Sequence, residues 1–211
     1  MFKALFYFAT LLGVFPIVIL KSKANSNKHH PIAPFLWLVL FASFYELIGS
    51  TWLQIPTTIW FKTYLLLEFF TFGYYFDNLL KKKFKRLFLA FSIIFVVLFL
   101  AIILFWYDIN NLRTDAYLSI VEIVMVYFFT ILWLRNIFSN QNEEDAVQTS
   151  DFYFVTGIVI YLSGTFFLSL LGDLILINKE LNLEQYWILN IVCNIIIRSL
   201  LIVGVWKIQQ K

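Results

Sequence analysis

The sequence predicts an all-α fold, a polytopic transmembrane bundle of seven helices, on three observations. The 211-residue chain is 61% hydrophobic and only 14% charged, far below the ~25% charge with which a soluble domain covers its surface, and its mean hydropathy is +0.81. Seven apolar runs, each near the ~20 residues that cross a bilayer core, follow one another with short polar connections. All seven tryptophans, Trp37, Trp52, Trp60, Trp106, Trp133, Trp187 and Trp206, fall near the end of a run, at the headgroup level that indole rings favour.

The first run, 2–20, begins like a secretory signal, with Lys3 before an apolar core. Lys21 and Lys23 follow at once where a small-residue cleavage site would be needed, so a retained anchor is predicted. Pro16 predicts a kink, tolerable where neighbouring helices re-satisfy the freed carbonyl. A basic loop over 21–34, with His29, His30, Pro31 and Pro34, leads to the second run, 35–54, which holds Glu46. Ile55 and Pro56 turn the chain into the third, 57–80, with Glu68 at its centre. The densest charge run, KKKFKR over 81–86, precedes the fourth, 87–106, which has no ionisable residue and is expected to be the most lipid-exposed helix. The fifth, 116–138, carries Glu122 and Arg135; a polar loop with Glu143, Glu144 and Asp145 leads to the sixth, 152–177, rich in Gly, Ser and Thr, and the seventh is 186–206. No connection exceeds about fourteen residues, so residues 1–211 read as a single seven-helix transmembrane domain.

Orientation follows from the placement of Lys and Arg. The loop 21–34, the run 81–86, Arg135, and Lys207 with Lys211 fall on one side and hold eleven of them; the other side has Lys3, Arg113 and Lys179, with Lys62 just inside the membrane. The N-terminus is therefore expected outside and the C-terminus in the cytoplasm, in a multi-pass protein of the cell inner membrane. A net charge of +3 gives no reason to expect nucleic acid. The lone Cys193 excludes an intramolecular disulfide, and two adjacent loop histidines exclude a His-rich metal site within the membrane; no metal or cofactor is expected.

Polar residues recur at helical spacing inside the apolar runs. Ala42, Glu46, Gly49 and Ser50 share a face of the second, Tyr64, Glu68, Thr71 and Tyr75 of the third, and Asp115, Ser119 and Glu122 of the fifth. Gly157, Tyr161 and Gly164 line the sixth, and Asn190, Asn194 and Arg198 stand four apart on the seventh. At 1.5 Å per residue, Glu68, Ser163 and Asn194 lie near the midplane, Glu46, Glu122 and Asn190 in the outer half, and Arg198 slightly inward. A carboxylate at mid-span costs roughly 2.5–3.5 kcal/mol on insertion scales, and one arginine does not neutralise three glutamates, so at least one acid holds a proton or binds something else. The candidate ligand- or proton-binding set is Glu46, Glu68, Glu122, Tyr64, Tyr161, Ser163, Asn190, Asn194 and Arg198. Plainer roles stand beside it: small residues as packing surface, the asparagines as interhelical hydrogen-bond glue, and Arg198 as counter-ion to one glutamate or as an anchor in the inner headgroups.

Catalytic arrangements are missing: there is no mid-span lysine in the last run for a retinal, no GxSxG elbow or Ser–His pair, and no paired-aspartate protease motif. Seven-span sugar carriers built from two three-helix repeats keep prolines in matched helices; here all four prolines precede residue 57.

The segments YELIG (45–49), YLLLEFFTFGYYF (64–76), SIVEI (119–123), GIVIYLSG (157–164) and NIVCNIII (190–197) resemble those of a group of small, uncharacterised seven-helix membrane proteins of Bacteroidetes-type bacteria. These are similar to the membrane sensor halves of bacterial kinases. The resemblance implies the fold and a residue set of Glu46, Glu68, Glu122, Tyr161, Ser163, Gly164, Asn190 and Asn194; it implies no activity. The function expected is that of a non-enzymatic ligand-binding or sensory integral membrane protein with a polar pocket in the middle and outer membrane. Its partners would be the lipid bilayer, a small ligand, and a cytoplasmic or membrane signalling chain. The alternative is a small-solute or proton-coupled transporter using a buried glutamate.

Overall fold

The structure is a computed structural model that describes residues 2–22, 30–49, 52–55, 57–105, 112–140, 148–177 and 183–210. Lys23, Lys28, His29, Ser50, Pro56, Trp106, Glu143, Glu144, Asp145, Lys179 and Lys211 lie outside the described residues, as do the side chains of Arg113, Asp115 and Trp187. All regular structure among the described residues is helical.

The first apolar run is broken in two, α1 (Phe2–Leu12) and α2 (Phe15–Ser22). Pro16 has no N–H to give, and Gly13 lies at the joint. The Gly13 N–H turns to the Thr10 carbonyl (3.2 Å) and that of Val14 to Leu11 (3.1 Å), a 3₁₀-like tightening common at helix ends. Helix α3 (Ala33–Phe44) starts with Pro34 in its first turn, where the missing N–H costs nothing. It widens into a π turn, Tyr45–Gly49, and helical structure stops there, five residues short of the expected 54. The reason is local. A Cβ on Gly49 would lie 2.6 Å from the Tyr45 ring, and the N–H groups of Trp52, Leu53 and Ile55 return to the carbonyls of Ile48 and Gly49, closing the end. Helix α4 (Thr57–Leu79) finishes with Lys81 and Lys82 in the left-handed region (φ 53° and 58°) and the Lys82 N–H on the Asp77 carbonyl at 2.8 Å. Both cations sit at the negative end of the helix dipole. Helices α5 (Lys85–Phe105), α6 (Leu112–Asn140), α7 (Ser150–Ile177) and α8 (Leu183–Gln209) follow.

Among the described residues, five stretches are long and apolar enough to cross a membrane: Lys3–Ser22, Lys85–Leu104, Ala116–Ser139, Ser150–Leu168 and Ile188–Gln209. Ala33–Gly49 is apolar but short, and α4, though long enough, carries Lys62, Glu68, Asp77 and a set of tyrosines and threonines. Many large apolar side chains on the outer faces are exposed, among them Val97, Ile103, Leu104 and Ile131, as contact with a lipid bilayer requires.

The helices close a ring in the order α1/α2, α3, α4, α6, α7, α8 and back to α1/α2. Helix α8 has its most extensive contact with α7, where Gly164 faces Cys193, Gly204 faces Phe154, and Gly157 leaves Leu200 room for close approach. Small residues at an interface let backbones come near enough for dense packing. Helix α5 lies outside the ring against α4 and α6. Only 17% of its span is buried, against 39% for α6, α7 and α8, in keeping with its lack of any group that needs shelter. Two stacked ring pairs hold it, Phe95 on Phe69 of α4 (3.9 Å between centroids) and Phe88 on Phe129 of α6 (3.8 Å). The tryptophan rule holds unevenly: Trp52 and Trp206 are exposed, whereas Trp133 is buried in the core because its face of α6 points into the ring.

One end of the bundle gathers Lys21, Lys81 to Arg86, and Lys207. There the Gln209 amide donates to the Ile19 carbonyl, Lys21 lies 4.3 Å over the Trp37 ring, and the Tyr75 hydroxyl donates to Asp151 Oδ1 at 2.9 Å. His30 Nε2 sits 4.0 Å from the same oxygen, its ring edge against Phe154.

Two expectations follow. Phe95→Ala should destabilise the protein by about 3 kcal/mol through lost packing, and Ile94→Ala, on the exposed face next to it, by less than about 1 kcal/mol; unfolding in mixed micelles separates them. Burial pushes the His30 imidazole below the usual histidine range, with Asp151 pulling the other way. The unfolded chain therefore takes up a proton near pH ~6.5 that the folded chain resists, and stability falls as pH drops through that window. Between about pH 7.5 and 5.5, wild-type Tm should fall more than that of His30→Gln.

Candidate functional site

A cavity of about 220 Å³ lies inside the ring, from mid-helix toward the end opposite the basic cluster. Each wall comes from the turn periodicity of one helix. Ala42 and Glu46 come from α3 and its π turn, and Trp60, Tyr64 and Glu68 from α4. Ser119 and Glu122 belong to α6, Tyr161, Thr165 and Leu168 to α7, and Asn190, Asn194 and Arg198 to α8. Leu65, Ile123 and Leu162 complete an apolar part of the wall. Eight residues of the sequence-derived set, Glu46, Glu68, Glu122, Tyr64, Tyr161, Asn190, Asn194 and Arg198, thus surround one space.

Ser163 does not. Its hydroxyl donates to the Val159 carbonyl at 2.6 Å and meets the Tyr127 hydroxyl in the α6–α7 seam. Equal depth misled here, because residues two apart on a helix point to different sides.

Arg198 is 2% exposed and engaged through both terminal nitrogens. Its Nη2 donates to both Glu46 oxygens at 3.2 Å, and its Nη1 to the Ala9 carbonyl at 2.6 Å. That carbonyl is available because the N–H that would close its helical bond, Gly13, has turned to Thr10. Gly13 also makes the approach possible: a Cβ there would collide with Ser43 and stand 3.3 Å from Arg198 Nε. Of the two roles open to this arginine, counter-ion and headgroup anchor, the structure has the first, with Glu46 as the partner.

Glu68 and Glu122 are what that pairing leaves. Glu68 is 3% exposed and Glu122 0%; Glu68 Oε1 and both Glu122 oxygens have no hydrogen-bond partner among the described residues. The two carboxylates feel each other electrostatically, and the hydroxyls of Tyr64 and Tyr161 lie beside Glu68. Asn194 directs its amide along its own helix, to Asn190 O (3.0 Å) and Oδ1 (3.1 Å), so neither bond is the interhelical glue that was the plainer reading.

Sequence reasoning missed Trp60 and Thr165, although each stands four residues from a chosen tyrosine, and the Ala9 carbonyl, which no side-chain pattern reveals. The Tyr45 ring stacks on Trp60 (4.3 Å, 12°) and its hydroxyl donates to the Ile55 carbonyl at 3.0 Å, which fixes the π turn to the start of α4. Chemically the cavity offers carboxylates, phenols and amides. No group of three or more His, Cys, Asp or Glu able to hold a metal ion occurs among the described residues.

Removing one partner of a fully buried ion pair costs about 3–5 kcal/mol; here Arg198 is buried but the Glu46 side chain is 28% exposed, so Arg198→Met and Glu46→Gln should each destabilise, by less than that figure. The double variant should lose less than the sum, by about 1 kcal/mol or more. Arg198→Lys should not restore wild-type stability, since one ammonium cannot reproduce the fork that serves Glu46 and Ala9 together. A double-mutant cycle of micellar unfolding measures all three. Compared with protein-family models, curated proteins and solved structures, the chain matches none.

Proposed function

We propose that this protein is a non-enzymatic, ligand-binding sensory protein of the inner membrane, and that the cavity holds a small ligand. The observation that carries the reading is a ring of helices around about 220 Å³ of space lined by two buried acids, Glu122 with both oxygens and Glu68 with Oε1 lacking a hydrogen-bond partner among the described residues. Ligand pockets are largely apolar with a few convergent polar groups, and this wall has that character. The reading includes seven membrane crossings, with α3 and α4 as a pair, the N-terminus outside and the basic end in the cytoplasm. Occupancy would act on the Arg198 node, which joins the cavity wall to the α1/α2 break and to the π turn, and so shift helices at the cytoplasmic end toward a signalling partner.

A carrier is the second reading, favoured by the broken α1/α2 and the π turn beside the cavity, since transporters build their sites from interrupted helices. Protein reconstituted in liposomes with a trapped pH dye distinguishes the two. A sensor gives no proton flux above empty liposomes under an imposed gradient. Flux that disappears in Glu68→Gln would replace the sensor with the carrier.

Topology has its own test. Cys193 is the single cysteine, so a Cys193→Ala background allows Leu53→Cys and Lys83→Cys to be probed with an impermeant maleimide on whole cells. Position 53 should label from outside and position 83 should not. Protection at both would make α3 and α4 a re-entrant hairpin and reduce the crossings to five.

A further inference from the structure

We infer that the cavity takes an organic monocation, an amine of about six to nine non-hydrogen atoms, with Glu68 and Glu122 as its counter-ions. The inference deepens the ligand-binding reading and rests on it.

Charge is the first ground. The cavity wall has three carboxylates and one guanidinium, and that guanidinium is committed to Glu46 and Ala9. Both Glu122 oxygens and Oε1 of Glu68 are buried without a hydrogen-bond partner among the described residues. Buried acceptors in native proteins almost always have one, and a carboxylate pair facing the same space asks for a donor carrying positive charge. Engagement of Arg198 also argues against a zwitterion, whose carboxylate would find no free cation in this wall.

Size and surface come next. A cavity of about 150 Å³ holds a benzene; about 220 Å³ therefore has room for roughly nine non-hydrogen atoms. A bare metal ion would leave most of that volume to water against Leu65, Ile123 and Leu162. An ammonium on a short hydrocarbon body satisfies both parts of the wall, and the rings of Trp60, Tyr64 and Tyr161 present faces that attract such cations.

The test uses full-length protein in lipid nanodiscs, titrated by calorimetry with pentylamine, benzylamine and 2-phenylethylamine, each against the alcohol of equal size, with empty nanodiscs as blank. At least one amine should bind about tenfold or more tightly than its alcohol, and Glu122→Gln and Glu68→Gln should each weaken that amine about tenfold and so narrow the amine-to-alcohol ratio. The amine-to-alcohol ratio on wild type needs no variant to fold. Equal binding of amine and alcohol, amine affinity untouched by both substitutions, or no amine bound would each overturn the inference. Filling the cavity with Ala42→Phe tells the two levels apart: if alcohol and amine bind equally and both are lost in Ala42→Phe, the cation falls and the ligand-binding cavity stands. Binding that survives Ala42→Phe would remove the cavity reading itself.

Discussion

The Arg198 guanidinium is the interaction on which the rest of the bundle depends. Taking an ion out of water costs several kcal/mol even after relaxation, and only excellent geometry with further hydrogen bonds repays it. Arg198 meets that condition with both oxygens of Glu46 and the carbonyl of Ala9. Those partners come from α3's π turn and from α1; α1 packs against both the π turn and α8, and the Arg198 side chain links all three. One side chain therefore closes the ring where its last helix returns to its first. The closure needs a helix with a spare carbonyl, hence the break after Leu12, and a neighbour with no side chain in the way, hence Gly13.

The irregular backbone of the bundle is concentrated around that node. The break at residues 13–14 supplies one acceptor of Arg198, and the π turn carries the other. Single-turn π segments and helix breaks are where packed helices most readily change their geometry, because a regular helix has no unspent backbone group to exchange. Helix α5, outside the ring, is regular throughout and touches the site nowhere. Any change in the cavity that alters the Glu46 pairing would be felt first in α1/α2 and at the head of α4, where Tyr45 stacks on Trp60.

The helical class and the site's composition could be read in the chain because hydrophobic runs and i, i+4 spacing are local properties. Trp60, Tyr64 and Glu68, or Asn190, Asn194 and Arg198, share a face of any helix they occupy. Pairing was not legible. Nothing local distinguishes Glu46 from Glu68 as the mate of Arg198; tertiary packing decides it, bringing Arg198 of α8 within 3.2 Å of Glu46 on the π turn while Glu68 of α4 shares the cavity wall with Glu122 of α6 and Tyr161 of α7. The break in the first run was signalled by Pro16, but its purpose was not, since the group it frees is a backbone carbonyl. Ser163 was misassigned for the opposite reason: depth was right and azimuth wrong. His30 looked like loop, yet it packs on Phe154 beside Asp151, a contact spanning more than a hundred residues of sequence.

The polarity of α4 and the presence of a cavity are two sides of one constraint. With Lys62, Glu68 and Asp77, α4 falls outside the helices apolar enough to cross a membrane alone, whereas α5 is the most apolar of them at a hydropathy of 3.3. A helix like α5 needs little from its neighbours, and it receives little: it lies at the periphery, held by stacked phenylalanines. Helix α4 needs its stripe of Tyr64, Glu68 and Tyr75 kept from lipid, since a polar group in hydrocarbon with no partner costs several kcal/mol. Its shelter is α6 beside it in the ring and α7 across the cavity, with α5 covering its outer face through Phe69. Tyr75 is satisfied by Asp151 at the basic end, so the part of the stripe left open is Glu68, opposite Glu122. The fold that buries the polar stripe of α4 therefore also delivers Glu68 and Glu122 to the same cavity and commits Arg198 to Glu46 and Ala9.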